Sequence, residues 1–187
     1  MMKIVLGGSR KLAFMPEEIV ARLEDYMNSN AEFLVGDAPG IDSKFQEILN
    51  FHNYKNVTVL SSAEYIRNNK GKWATRFVDS GLKSKSHARH GAKDRVMTSE
   101  ANAGVMIWDK ESAGTLANVM DLVNSGKPCL LYIAGDNELI SIDTSSTLET
   151  LLSQFEEVRV EAQQRLNAYD RRKNKNVNLD LANTLFD

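Results

Sequence analysis

Three short segments hold the residues best suited to gripping an anionic ligand. The first is Gly7-Gly8-Ser9-Arg10. Glycines let a ligand approach the backbone, their N–H groups can cradle an anion, and an arginine can pair with a phosphate. A tight turn with a surface arginine is the competing explanation. The second is Gly36-Asp37-Ala38-Pro39-Gly40-Ile41-Asp42. Gly40 permits a backbone conformation closed to other residues, and Asp42 can cap a following helix. Asp37 has no such structural task, which makes it a candidate to face a ligand hydroxyl. The third is Ser112-Ala113-Gly114-Thr115. At a helix start, bare amides and the helix dipole favour phosphate, and a cap by Ser112 or Thr115 is the alternative. None of the three is a G-x-G-x-x-G or a P-loop, so standard dinucleotide and P-loop nucleotide binding are not indicated.

Charge adds a fourth feature. From Arg67 to Arg95 stand Arg67, Lys70, Lys72, Arg76, Lys83, Lys85, Arg89, Lys93 and Arg95, against Asp79 and Asp94. That is a local +7 within a chain of formal net charge −2, so the protein is not a uniformly basic nucleic-acid binder. Such a segment can lie over an anionic ligand or along a nucleic-acid backbone, with Trp73 and Phe77 placed to stack on a base. A solvated loop anchored by two aromatic residues is the plainer alternative. His87 and His90 lack partners at ligand spacing, so neither a metal site nor a cofactor is expected. Cys129 sits in the apolar run Cys129–Ile133 and reads as a buried, inert thiol. With one cysteine there is no internal disulfide, and the expectation is a reduced, cytoplasmic protein.

The elements that position these segments follow a simple alternation. Lys3–Leu6, Phe33–Val35, Val57–Leu60, Val105–Trp108 and Cys129–Ile133 are short apolar runs, as expected of strands buried on both faces. Between them lie helical patterns. One opens at Pro16 with Ile19, Val20, Leu23, Tyr26 and Met27 on one face. Others span Asp42–Phe51, Ala92–Ala101 and Thr115–Asn124, the last stopped by Gly126 and Pro128. Residues 61–90 are irregular and basic, with no clear strand. The alternation predicts an α/β protein: a Rossmann-like, doubly wound, mainly parallel five-stranded sheet. In such sheets ligands bind at the carboxyl ends of the strands, where all three segments fall.

After the fifth strand the pattern changes. Ser146 and Glu149 fit a capping box, and apolar residues from Leu148 to Tyr169 keep a helical period. Arg171, Arg172, Lys173 and Lys175 follow, then a tail with Val177, Leu179, Leu181, Leu185 and Phe186. The expected division is a Rossmann domain over 1–135 and a C-terminal helix and tail over 136–187, packing on the domain or on a partner subunit of a homo-oligomer. The 187 residues suit one domain, at 42% hydrophobic and 26% charged. No run of 18 apolar residues is present, so no membrane span or membrane partner is expected. The glycines at 7 and 8 come too early for a signal-peptide core.

In this order the motifs resemble the SLOG superfamily. They are Gly8-Ser9-Arg10 after the first strand, Gly36-x-x-x-Gly40-x-Asp42 after the second, and Ser112-x-Gly114-Thr115-x-x-Asn118 after the fourth. The likeness covers about residues 3–133 and is closest to small YspA-like proteins, including phage-encoded ones. The superfamily also includes the LOG phosphoribohydrolases and the DNA-processing protein A family. The resemblance implies a Rossmann-like fold and binding of nucleotides or derivatives such as ADP-ribose compounds. It implies ligand contacts at Gly7, Gly8, Ser9, Arg10, Gly36, Gly40, Asp42, Gly114 and Thr115, to which Asp37, Lys93, Arg95, Ser112 and Asn118 are added as candidates. The chain departs from the LOG pattern: Asn118 stands where those enzymes carry a catalytic glutamate, and Lys93 where they carry an arginine, with Arg95 nearby. Neither replacement is chemically equivalent. Asp37, Lys93, Arg95 and Asn118 are therefore the catalytic candidates, with Asp94, Asp109 or Glu111 as other sources of a carboxylate. The leading expectation is binding of a phosphorylated nucleotide-derived small molecule, for sensing or sequestration. LOG-like hydrolysis or transfer at an N-glycosidic bond, and single-stranded nucleic-acid binding, are the alternatives.

Overall fold

In a computed structural model the chain is described over residues 1–62, 65–79 and 87–184, with the side chains of 87–90 and 171–184 outside the description. In chain order the elements are β1 (Lys3–Gly8), α1 (Glu17–Asn28), β2 (Glu32–Gly36), α2 (Ile41–Phe51), β3 (Val57–Ser61), β4 (Ala74–Phe77) and α3 (His87–Glu100). There follow β5 (Ala103–Trp108), α4 (Ala113–Asn124), β6 (Cys129–Ile133), β7 (Glu138–Ile142), α5 (Ser145–Leu152) and α6 (Glu156–Thr184).

The sheet order is β4-β3-β2-β1-β5-β6-β7, parallel except for β7. The class is the expected Rossmann-like one, but the sheet has seven strands rather than five. The two additions are its edges. β4 is a mostly exposed Ala-Thr-Arg-Phe, and β7 is a half-exposed Glu-Leu-Ile-Ser-Ile. Edge strands are covered less than central ones, so they lack the continuous apolar run that marks β1 or β5. β4 thus lies inside the segment expected to hold no clear strand, and β7 lies beyond the fifth expected one.

Alternate residues of each central strand feed two cores. Ile4, Leu6, Phe33, Val35, Val105 and Ile107 pack with α1 and α2 on one face. Val5, Leu34, Met106 and Trp108 pack with α3, α4, α5 and α6 on the other. This period of two follows from strand geometry. From β1 the chain winds outward to β4, returns through α3 to β5 beside β1, and winds out the other way. The strand order therefore reverses between β1 and β5, which opens a crevice at their carboxyl ends.

The C-terminal region corrects one detail. Ser146 and Glu149 do not form the helix cap; Thr144 does, with Thr147 returning the bond, and a break at Ser153-Gln154-Phe155 separates α5 from α6. At the break Phe155 meets Trp108 edge-on, 4.9 Å between ring centroids. The α6 backbone carries Arg171, Arg172, Lys173, Lys175, Val177, Leu179 and Leu181, whose side chains lie outside the description, as do Leu185 and Phe186 altogether. Among the described residues no helix is long and apolar enough to cross a membrane.

Candidate functional site

A cleft of about 510 Å³ occupies the crevice between β1 and β5. Four walls enclose it: the turn after β1, the start of α4, the middle of α3, and α6. Of the residues singled out in the sequence, Gly7, Gly8, Arg10, Asp42, Lys93, Arg95, Ser112, Gly114, Thr115 and Asn118 line it. Ser9, Gly36, Asp37 and Gly40 do not.

Those four have structural work beneath the cleft. Ser9 is fully buried; its Oγ accepts from the Asp109 N–H (3.1 Å) and its N–H donates to the Ile107 carbonyl (3.0 Å), tying the β1 turn to β5. Gly40 has φ +79°, and a Cβ there would collide with the Arg10 backbone, so the two loops lie against each other only because this residue is glycine. A Cβ at Gly36 would strike the Asp42 carboxylate and come within 2.7 Å of Lys93 Nζ. Asp37 turns away from the cleft and, contrary to expectation, does have a structural task. Its Oδ2 accepts from Ser61 Oγ (2.8 Å), Arg67 N (3.1 Å) and Arg67 Nε (3.0 Å), and Arg67 Nη2 bonds to its Oδ1. Burial pushes this carboxyl up, but the bonds from Arg67 and Ser61 together outweigh it and hold the group below the usual carboxylate range.

Asp42 behaves oppositely. It does not cap α2; that position is Gly40, without a side-chain bond. Asp42 is buried at the cleft floor, where Oδ2 accepts only a long bond from the Ala38 N–H (3.4 Å) and lies 3.9 Å from Lys93 Nζ. Burial raises its pKa to about 6, with the positive charge of Lys93 opposing and the negative charge of Asp94 adding to the rise. Lys93 Nζ bonds to Asp94 Oδ1 at 2.6 Å. Burial lowers the pKa of this lysine, but its two carboxylate neighbours outweigh that and keep it charged.

The start of α4 is internally capped. Ser112 Oγ accepts from the Thr115 N–H (3.3 Å) and its hydroxyl (3.0 Å), and Asp109 Oδ1 accepts from Glu111 N (3.0 Å) and Ser112 N (2.8 Å). Arg95 is bound to α4: Nη1 lies 3.1 Å from Asp121 Oδ2, and Nη2 donates to Asn118 Oδ1. The side-chain charges that line the cleft balance among the described residues. Arg10, Lys11, Lys93, Arg95 and Arg165 face Asp42, Asp94, Asp109, Glu111 and Glu161. Lys11 pairs with Glu111 and Arg165 with Glu161, each at 2.7 Å. Arg10 is exposed and has no ion pair among the described residues.

Among the described residues, five basic side chains of the segment have acidic partners and Lys72 has none. Arg67 pairs with Asp37, Lys70 with Glu47 (3.1 Å), and Arg76 with Glu100 (2.6 Å), beyond the pairs of Lys93 and Arg95. Trp73 is buried, and its Nε1 donates to the Tyr54 carbonyl (2.7 Å), so its ring belongs to the core rather than to a ligand. Phe77 is exposed on β4 and does not line the cleft. Lys83 and Lys85, and the side chains of Arg89, His87 and His90, lie outside the described residues. Cys129 is fully buried, which pushes its thiol up to about 12. The α6 wall, with Gln164, Arg165 and Tyr169, is the part that the motifs did not indicate. The signal available was the pair Ala162 and Leu166, which marks the face of α6 that packs inward.

Fold and crevice together define a Rossmann-like α/β protein with a ligand-sized cleft at its topological switch point. No protein-family model and no curated protein matches the sequence. Among solved structures the chain is similar to DNA processing protein A from Helicobacter pylori, described for its unique single-stranded DNA binding mode. The TM-score is 0.53 at 16% identity, over 90% of this chain and 81% of that one. At that identity the likeness is one of fold.

Proposed function

We propose that the cleft binds a phosphorylated, nucleotide-derived small molecule. The observation that carries this reading is the coincidence, at the β1/β5 switch point, of a cleft of about 510 Å³ with glycine backbone, the α4 start and an arginine without an ion pair among the described residues. Backbone N–H groups, the α4 dipole and Arg10 are complementary to phosphate. Asp42, with its few hydrogen bonds, suits a sugar hydroxyl, which donates. The SLOG-like motifs fit the same reading, because six of the nine positions for which that likeness implies ligand contact line this cleft. Binding is favoured over turnover at an N-glycosidic bond: the Asn118 amide cannot act as a general acid or base, and Arg95 is held by Asp121.

A thermal-shift screen against nucleotides, nucleosides and ADP-ribose derivatives tests this. A ligand at 100 times its Kd stabilises by about 2.7 kcal/mol, a rise in Tm of about 5–10 °C for a chain of this size. A flat response across the panel from folded protein overturns the reading.

Single-stranded DNA binding is the second reading, favoured by the fold likeness to DNA processing protein A and by the basic stretch 67–95. It ranks lower because Arg67, Lys70, Arg76, Lys93 and Arg95 already have acidic partners. It requires an affinity for oligodeoxynucleotides that falls steeply with salt.

A further inference from the structure

One wall of the cleft has no assigned role. α6 lays Gln164, Arg165, Ala168 and Tyr169 along it, while Ala162 and Leu166, the latter at the edge of the cleft, fix the helix in the core it shares with α4. Arg165 and Tyr169 are four residues apart and share a helix face. The Arg165 guanidinium is held in position. Its Nη2 bonds to Glu161 Oε1 at 2.7 Å, and its Nη1 overhangs the start of α4, so that a Cβ on Gly114 would lie 3.2 Å from it.

Tyr169 stands one turn further on, about 6 Å along the axis. It is half-buried and is the aromatic residue among the described residues that line the cleft. None of the ring pairs among the described residues includes it. A tyrosine ring left open inside a cleft offers a flat apolar face for stacking.

We infer that Tyr169 is the stacking platform for a planar heteroaromatic ring of the ligand, with Arg10 facing its phosphate and Arg165, paired with Glu161, bordering it. The inference rests on the proposed function and deepens it: the ligand is a nucleotide with an intact base rather than a sugar phosphate. Arg165 and Tyr169, one helical turn apart along the α6 backbone, put a cation and a ring on the same wall. The base platform is thus supplied by the C-terminal helix, not by the basic segment whose Trp73 is buried.

The test is calorimetric titration of the full chain with the four nucleoside 5′-monophosphates and with ribose 5-phosphate. Wild type, Tyr169→Phe and Tyr169→Ala are compared. Wild type is expected to bind at least one nucleotide about tenfold or more tightly than ribose 5-phosphate. Tyr169→Ala should abolish that advantage and leave ribose 5-phosphate binding unchanged, while Tyr169→Phe keeps it. Nucleotides that bind no more tightly than ribose 5-phosphate to wild type overturn the platform and leave the phosphate cleft standing, whatever the variants do. So does Tyr169→Ala that weakens both probe classes alike, or neither. No binding of any probe overturns the platform, and a flat thermal-shift panel that includes ADP-ribose derivatives overturns the cleft reading with it.

Discussion

Two buried aspartates five residues apart, on either side of the β2–α2 turn, have opposite fates. Asp37 is saturated: Ser61 and the whole polar edge of Arg67 close around it, and its carboxyl is held below the usual range. Asp42 is starved: a long backbone bond and a lysine at 3.9 Å are its partners among the described residues, and its pKa rises to about 6. The same residue type, buried in both places, is held as a carboxylate where donors surround it and is pushed toward the protonated form where they do not. The difference separates the half of the β2 end that anchors the 66–73 loop from the half that floors the cleft.

The largest effect should come from breaking the saturated half. Asp37→Ala leaves Arg67 largely buried without its partner and is expected to cost about 3–5 kcal/mol, read by urea denaturation at pH 7. Because the folded-state pKa is depressed, Asp37 stabilises the fold above the unfolded value near 4, and that contribution is lost as pH falls through the folded value. The deficit of the variant should therefore shrink on acidification below pH 4. A loss under 1 kcal/mol at pH 7 would show that Asp37 is not a structural anchor.

Gly36→Ala probes the boundary between the halves. Its methyl group is forced against Asp42 and Lys93, and about 1–3 kcal/mol of overpacking is expected, with any nucleotide response weakened as the floor shifts. Unchanged stability would mean that the Asp42–Lys93 pair moves freely, against its tight burial.

Asp42→Asn should have the smallest effect and the opposite sign. With a folded pKa of about 6, raised from 3.8, Asp42 favours the fold below the unfolded value, and that advantage disappears as pH rises through 6. At pH 7 the variant is expected to be more stable than wild type by about 1–2 kcal/mol, discounted because Lys93 loses one of two carboxylates. The gain should vanish near pH 4. Denaturation midpoints at both pH values read it, and a variant that is destabilised at pH 7 would refute the contrast.

Much of the fold was legible. Continuous apolar runs revealed the five inner strands because both of their faces are covered, and Gly126 and Pro128 marked the end of α4. The edges were not, because β4 and β7 lack that coverage and so lack the pattern. Of the site, glycines and helix starts at strand ends pointed to the crevice. The sequence does not reveal the structural role of Asp37, nor decide between stacking and anchoring for Trp73, because their partners, Arg67 and Tyr54, are 30 and 19 residues away. Arg165 and Tyr169 carried no motif, since their place in the site depends on where α6 crosses α4.

By itself the sequence determined the alternation of strand and helix, hence the parallel sheet and the edge where the cleft opens, because local periodicity reflects burial directly. The tertiary structure alone decided which charges are free. Whether a buried carboxylate or a cation is neutralised depends on donors and acceptors brought within about 4 Å by folding, and such distances are not encoded in spacing along the chain. That is why Arg10 has no ion pair among the described residues and Asp42 has a long backbone bond and Lys93 at 3.9 Å, while Asp37, Arg67 and Arg95 are closely paired.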